Sequence, residues 1–357
     1  MGRRIRASVA WFCLCPLGAG LAQTANQPGG PPATRWILAY AGWPRPGQAR
    51  AAYTVDDFAR LLALVDTGGQ PIGWLHTGVL FLQIYATSGH SFYPGFGPKP
   101  ADGADWQQYV DSLMGTVAAV ARLDSAVGWI GARVKGGPAP FPVAVMIPYP
   151  DPLAESVTFE GKRYEMNVPD GRSGLATAYI DRVRNGFGGT RYKHLRLDAF
   201  YWFRENCPPT DTLLVQRVAG VVHARGLRFL WIPYFRAVGF DHWRALGFDE
   251  GWLQPNYFFH LEVPQTRLDS AATSAQANGL GIEIEFDKRI ETAPAFWDRL
   301  GPYLSILAVY PKLRARSIAL FDGAGALIDL SRGKTLRERA LYERLAESLS
   351  PPDSAVH

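Results

Sequence analysis

Cysteine is nearly absent from this chain. Cys13, Cys15 and Cys207 are the only three in 357 residues. Two of them sit in an N-terminal stretch that reads as a leader, which leaves Cys207 without an internal disulfide partner. Stability must then come from a packed core, which a chain of this length can supply. Catalytic signatures are missing as well. There is no Cys-x-x-Cys pair, no His-Glu-x-x-His, no Gly-x-Ser-x-Gly and no phosphate loop. These absences set aside zinc ribbons, zincins, α/β-hydrolases and P-loop enzymes. His76, His90, His194, His223, His242 and His260 show no ligand spacing, so no metal and no cofactor is expected.

Long apolar runs are scarce too, with one exception. Ala7 to Leu21 is apolar, follows Arg3, Arg4 and Arg6, and precedes Gly20-Leu21-Ala22. This order predicts a secretory leader over residues 1–22, cut near Ala22, and hence a secreted or periplasmic protein. An uncleaved anchor is the alternative. Pro16 interrupts the run, which is short for a membrane-spanning helix, so no stable membrane insertion is expected after cleavage. Charge of one sign is also lacking. Loss of the three leader arginines takes the net charge from +5 to +2. The basic balance therefore gives no reason to expect a nucleic-acid partner.

Aromatic residues, by contrast, are plentiful: 11 Trp, 15 Tyr and 19 Phe. Most belong in a core. Those beside Gly and Pro in loops, Trp43 among them, suit the flat C–H faces of sugar rings. A Pro/Gly/Gln-rich linker over residues 23–34 is followed by strand-like runs that alternate with helix-like ones. The strands are Trp36–Tyr40, Gly78–Tyr85, Pro142–Pro148, Lys193–Trp202, Arg228–Tyr234, Glu250–Phe258, Leu280–Asp287 and Arg316–Phe321. Helices are expected at Thr54–Asp66, Asp105–Asp124, Leu175–Asn185, Asp211–Arg225, Arg267–Asn278, Pro294–Leu304 and Thr335–Leu349, with a short one at Asp241–Leu246. Long loops fall at Ser88–Pro100 and from Pro148 to about Ser173. Eight such units predict an α/β fold, a single (β/α)8 TIM barrel over residues 35–350. An open doubly wound sheet would carry a Gly-rich turn after its first strand, and Ala41 to Gly47 is no such turn.

Gly281-Ile282-Glu283-Ile284-Glu285-Phe286-Asp287 is the most informative stretch. At the strand period of two, three carboxylates fall on one face and three apolar side chains on the other. In a barrel the acidic face points inward and up toward the mouth, where active sites are built. The other strand ends add Asp198, Trp202, Glu205, Tyr234, Asn256 and Tyr257. Carboxylates, aromatics and an amide form the set that glycosidic cleavage uses.

Three of these segments carry a family resemblance: Tyr201-Trp202-Phe203-Arg204-Glu205, Gln254-Pro255-Asn256-Tyr257 and Gly281 to Asp287. Together they resemble the DUF4855 family, which looks related to TIM-barrel glycoside hydrolases, over roughly Trp36 to Phe321. The resemblance implies a barrel with carbohydrate chemistry. In the broader retaining clan the acid/base follows strand four and the nucleophile lies on strand seven. By strand count Glu205 and Glu285 match these positions. That acid/base usually follows an Asn, whereas Arg204 precedes Glu205 here. Asp198, on the strand itself, is the alternative.

The leading expectation is a secreted hydrolase that cleaves a polysaccharide or oligosaccharide. Glu205 and Glu285 would be catalytic, with Asp198, Trp202, Tyr234, Asn256, Tyr257 and Glu283 around the substrate. A non-catalytic glycan-binding barrel of the cell envelope is the second reading. A hard cation held by Asp198, Glu283 and Glu285 is the third.

Overall fold

The structure, a computed structural model, describes residues 33–41, 53–115, 118–189, 191–323 and 325–349. The expected leader, nearly all of the expected linker, and Trp43 lie outside these residues.

Eight parallel strands close into a barrel. In chain order they are β1 (Arg35–Tyr40), β2 (Gly78–Leu82), β3 (Phe141–Ile147), β4 (Leu195–Trp202), β5 (Arg228–Trp231), β6 (Glu250–Leu253), β7 (Gly281–Glu285) and β8 (Ile318–Phe321), with β8 pairing back onto β1. Strands covered on both faces carry near-continuous apolar runs. Accordingly, every residue of β1, β2, β3 and β7 is buried. The outer layer holds α1 (Val55–Leu62), α2 (Gly103–Met114), α3 (Ala119–Gly131), α4 (Pro169–Phe187), α5 (Thr212–His223), α6 (Thr266–Asn278), α7 (Pro294–Val309) and α8 (Leu336–Leu349). The barrel with its helices is the (β/α)8 arrangement expected from the alternation.

Several local expectations shift. Thr54 caps α1 through a reciprocal pair with Asp57, as its position suggested. The helix then stops at Leu62, and Ala63–Val65 pairs with Pro71–Trp74 as a hairpin. The long loop after β3 contains a second hairpin, Ser156–Phe159 with Lys162–Glu165. Its turn residues, Glu160 and Gly161, both have positive φ, the geometry that suits a two-residue hairpin turn. Residues 241–246 form turns, not a short helix. Strands five and six are four residues each and end earlier than the apolar runs suggested.

The lower end of the lumen is filled. Trp36 of β1 and Trp252 of β6 stand on non-adjacent strands, and their rings meet edge-on at 6.4 Å across the barrel. Trp252 Nε1 donates to the Ser317 carbonyl at 3.0 Å. A Cβ at position 281 would lie 2.7 Å from that oxygen and 2.5 Å from the indole. This close approach is why the acidic strand begins with glycine.

Candidate active site

A cavity of about 880 Å³ opens at the C-terminal ends of the strands. This is the end where barrel enzymes place their chemistry, and the size falls within the range of ligand pockets. Aromatic side chains dominate its wall, including Tyr40, Tyr93, Phe96, Tyr201, Phe203 and Phe321. Asp287 enters the wall paired with Arg289, and two carboxyls enter it without a cation, Glu205 from the segment after β4 and Glu283 from β7. Between them lies Gln254, whose side-chain amide hydrogen-bonds to both. Asn256 fixes that amide by donating from Nδ2 to Gln254 Oε1 at 3.2 Å.

Glu205 is half-buried and held on several sides. The Tyr93 hydroxyl hydrogen-bonds to its carboxyl. Its neighbour Arg204 turns away from the cavity and pairs with buried Asp211, which Arg172 also grips at 2.9 Å. Trp231 Nε1 donates to the Arg204 carbonyl at 2.8 Å. Arg204 thus anchors the segment from outside the cavity. Burial, and then the charge of Glu285, push the Glu205 carboxyl up to about 8, against the Tyr93 and Gln254 hydrogen bonds. Such a group keeps its proton at neutral pH.

Glu283 is buried, with Oε2 unpartnered. Burial, with Glu285 and Glu205 as like charges, raises it well above the ordinary carboxyl range. Glu285, the expected nucleophile, has no exposed surface and is not part of the cavity wall. Its Oε2 accepts from the Asn256 backbone N–H at 2.8 Å and from the Tyr303 hydroxyl at 2.6 Å. The β6 loop reaches over it with Asn256 at φ +51°, a conformation Asn tolerates better than most residues. Burial raises the Glu285 carboxyl too, although its donors oppose the shift. Among the described residues no cation pairs with Glu205, Glu283 or Glu285.

The remaining expected residues divide. Asn256 lines the cavity. Tyr257 lies behind it, buried against Tyr303 and under the Arg299 guanidinium, 3.7 Å from its ring centre. Tyr234 bridges to Gln254 at the strand ends. Trp202 is fully buried between Tyr149 and Phe229, away from the cavity. Its neighbours Tyr201 and Phe203 take the inward positions instead.

Asp198 requires the plainest correction. It is skipped in the β3–β4 register, where Val143 faces Leu197 and Ala144 faces Ala199. Its carboxyl pairs with Arg196 and Arg228. Arg228 and Glu250 open β5 and β6, so this network belongs to the N-terminal end of the barrel. A cation site built from Asp198, Glu283 and Glu285 therefore does not form. Among the described residues, the one compact cluster of potential metal ligands is His90, Asp102 and Asp105. It is accounted for by helix capping, since Asp102 and Asp105 close the start of α2 and His90 Nδ1 lies 2.7 Å from Asp105. That bond also ties down the loop carrying Tyr93.

Tyr93, Gln254 and Tyr303 were not singled out from sequence. Tyr93 and Gln254 sit in segments already marked as an aromatic loop and a strand-end motif. Tyr303, on α7, carried no signal.

Comparison with solved structures gives barrel relatives at low identity. A xyloglucanase from Bacteroides ovatus in complex with a heptasaccharide aligns with a TM-score of 0.44 and 10% identity, over 88% of this chain and 75% of that one. The pneumococcal virulence factor StrH aligns at 0.39 and 12%, over 89% and 83%. A mutant tryptophan synthase α-subunit from Pyrococcus furiosus aligns at 0.39 and 10%, over 88% and 97%. No curated protein matches the chain. Residues 36–347 match the model of one family, and the chain belongs to it: Domain of unknown function (DUF4855).

Proposed function

We propose that this protein is a glycoside hydrolase-like enzyme that cleaves a polysaccharide or oligosaccharide outside the cytoplasm. One observation carries the reading. Glu205 and Glu283 face a single aromatic-walled cavity and share the Gln254 amide. Glycosidic hydrolysis needs one carboxylic acid to protonate the leaving oxygen and one carboxylate to attack or to activate water. Burial raises both carboxyls, so both are protonated in the resting site. The reaction requires Glu283 to give up its proton once substrate is bound, which leaves one acid and one base. Glu205 is the donor, being half-exposed at the mouth and protonated at neutral pH. Glu283, deeper in the wall, is the partner. Tyr93 and Gln254 orient the donor, and the surrounding rings hold the sugar.

The experiment is a screen of soluble polysaccharides for new reducing ends, using the wild type, Glu205→Gln and Glu283→Gln. Full activity of both variants on a substrate the wild type cleaves would sink the reading. A second reading, a non-catalytic glycan-binding barrel, draws on the complete enclosure of Glu285, the carboxyl that strand count assigns as nucleophile. Under it, the wild type binds a glycan without cleaving it, and Glu205→Gln binds equally well.

A further inference from the structure

One atom in the cavity wall has an unmet hydrogen bond. Glu283 is 1% exposed and lines the cavity, and its Oε2 meets no partner. A buried polar atom left in this way costs stability until something fills it. The fixed groups nearby do not fill it. Asn256 holds Gln254 Oε1, which turns the Gln254 amide nitrogen toward Glu205 and Glu283. That nitrogen has two hydrogens, one for each carboxyl. The two cations of the wall already have partners: Arg289 sits 2.8 Å from Asp287, and Lys288 2.5 Å from Asp329. The other titratable groups around Glu283 are Glu205, Glu285, Tyr201 and Tyr303, none of which carries positive charge. A positively charged donor from outside meets both needs. It gives Oε2 a hydrogen bond, and it neutralises a carboxyl that the reaction has to ionise.

The aromatic walls add a second requirement. The rings of Tyr201, Phe203, Tyr93 and Phe96 form a continuous series, with neighbouring centres 6.2, 5.4 and 4.6 Å apart. Tyr40 and Phe321 form another pair at 6.0 Å, and all six rings line the cavity. Such faces hold the C–H faces of a sugar and attract a cation beside them. We propose that the cavity takes an amino sugar, a hexosamine unit whose free amine is protonated and donates to Glu283 Oε2. The inference rests on the reading of this cavity as a glycan site and names its substrate class. A bound ammonium favours the ionised form of Glu283. The Glu283 proton passes to solvent on binding, which leaves Glu283 as base and Glu205 as acid. A metal ion suits the place poorly, because Gln254 presents hydrogens to the two carboxyls where a hard cation needs oxygen ligands.

The test is calorimetric binding of matched tetrasaccharides to the full-length protein at pH 7. The probes are gluco and galacto series, each with a free amine, an N-acetyl group or a hydroxyl at carbon 2. Two buffers of different ionisation enthalpy count the protons released. One amino series should bind at least about ten-fold tighter than its acetylated and hydroxyl counterparts, the effect of one hydrogen bond to a charged group. Its binding should release a proton, and Glu283→Gln should abolish both the preference and the release. Should Glu283→Gln fail to fold, the wild-type ratio and proton count decide alone. Absence of binding by both amino series, equal or tighter binding of the neutral sugars, or a preference that survives in folded Glu283→Gln overturns the proposal. Cleavage of a neutral glycan without amine preference would overturn it and leave the hydrolase reading standing. Amine-selective binding without new reducing ends would do the reverse.

Discussion

At the N-terminal end of the barrel, Asp198 and Glu250 share the guanidinium of Arg228, Arg196 adds a second cation, and Ser317 caps Glu250. At the C-terminal end, Glu205, Glu283 and Glu285 meet only amides and hydroxyls. Both ends bury carboxyls in the same barrel, so burial alone does not distinguish them. Their partners do. Paired carboxylates are neutralised in place and chemically quiet, and the fold suffers when one partner is removed. Carboxyls buried together without a cation destabilise the fold and hold protons ready for transfer, a pattern typical of active sites.

The sharpest way to break this comparison is to remove one carboxyl from the upper end. Glu205→Gln should lower cleavage of a wild-type substrate by about 10²- to 10⁴-fold, the usual contribution of a general acid. The fold should survive, because the amide replaces a group that is already neutral at pH 7. Initial rates and a thermal melt measured on the same preparation check both halves. A variant that loses its fold rather than its rate would make the upper end structural like the lower one.

The lower end should respond the opposite way. Arg228→Met leaves Asp198 and Glu250 buried without their shared cation. Stripping one partner from a buried pair costs about 3–5 kcal/mol, and the partial exposure of Arg228 puts the expected loss at the low end of that range. A shift in the denaturant midpoint with an unchanged slope reads it out. Activity per folded molecule should not change. If stability hardly moves, the network is ornamental and the contrast between the ends disappears.

A smaller and more diagnostic effect is in pH. Folding raises the Glu205 carboxyl from 4.5 to about 8, and Glu283 and Glu285 move in the same direction. A raised carboxyl binds more protons folded than unfolded, so its contribution to stability falls as pH rises through that interval. It is fully present below about 4.5 and lost by about 8. Melting temperature should therefore decline from pH 5 to pH 8, and the decline should be shallower in Glu205→Gln.

Much of this was legible in the sequence, for physical reasons. The eight strands announce themselves because parallel barrel strands, covered on both faces, are largely apolar. The acidic strand was found because a period-two run of carboxylates is hard to place in a barrel except at the mouth. What failed depended on depth and direction. Asp198 shares a strand with the site, yet a skipped register, Arg196 of the same strand and Arg228 of β5 turn it toward the far end. Glu283 and Glu285 are equivalent by period, and the β6 loop backbone at Asn256 with a hydroxyl from α7, eighteen residues along the chain, holds one of them out of the cavity. The Ser156–Glu165 hairpin lies in a stretch the sequence reads as loop, although Glu160-Gly161 between alternating residues carries its signal.

The smallest expected effect tests whether the upper end is a glycan site at all. Phe96, on the loop tied down by His90 and Asp105, is half exposed at the cavity rim, with its ring 4.6 Å from that of Tyr93. Nothing in the folded protein needs that exposed face, so Phe96→Ala should change stability by no more than about 0.5 kcal/mol. A sugar ring stacked there would lose contact area, while the carboxyls would keep their geometry. The expectation is a KM raised a few-fold at unchanged kcat, larger for long oligosaccharides than for short ones. A drop in kcat instead would mean that Phe96 acts through Tyr93 on the position of Glu205, because Tyr93 hydrogen-bonds to that carboxyl. The aromatic rim would then belong to the proton-donor assembly and not to the binding surface.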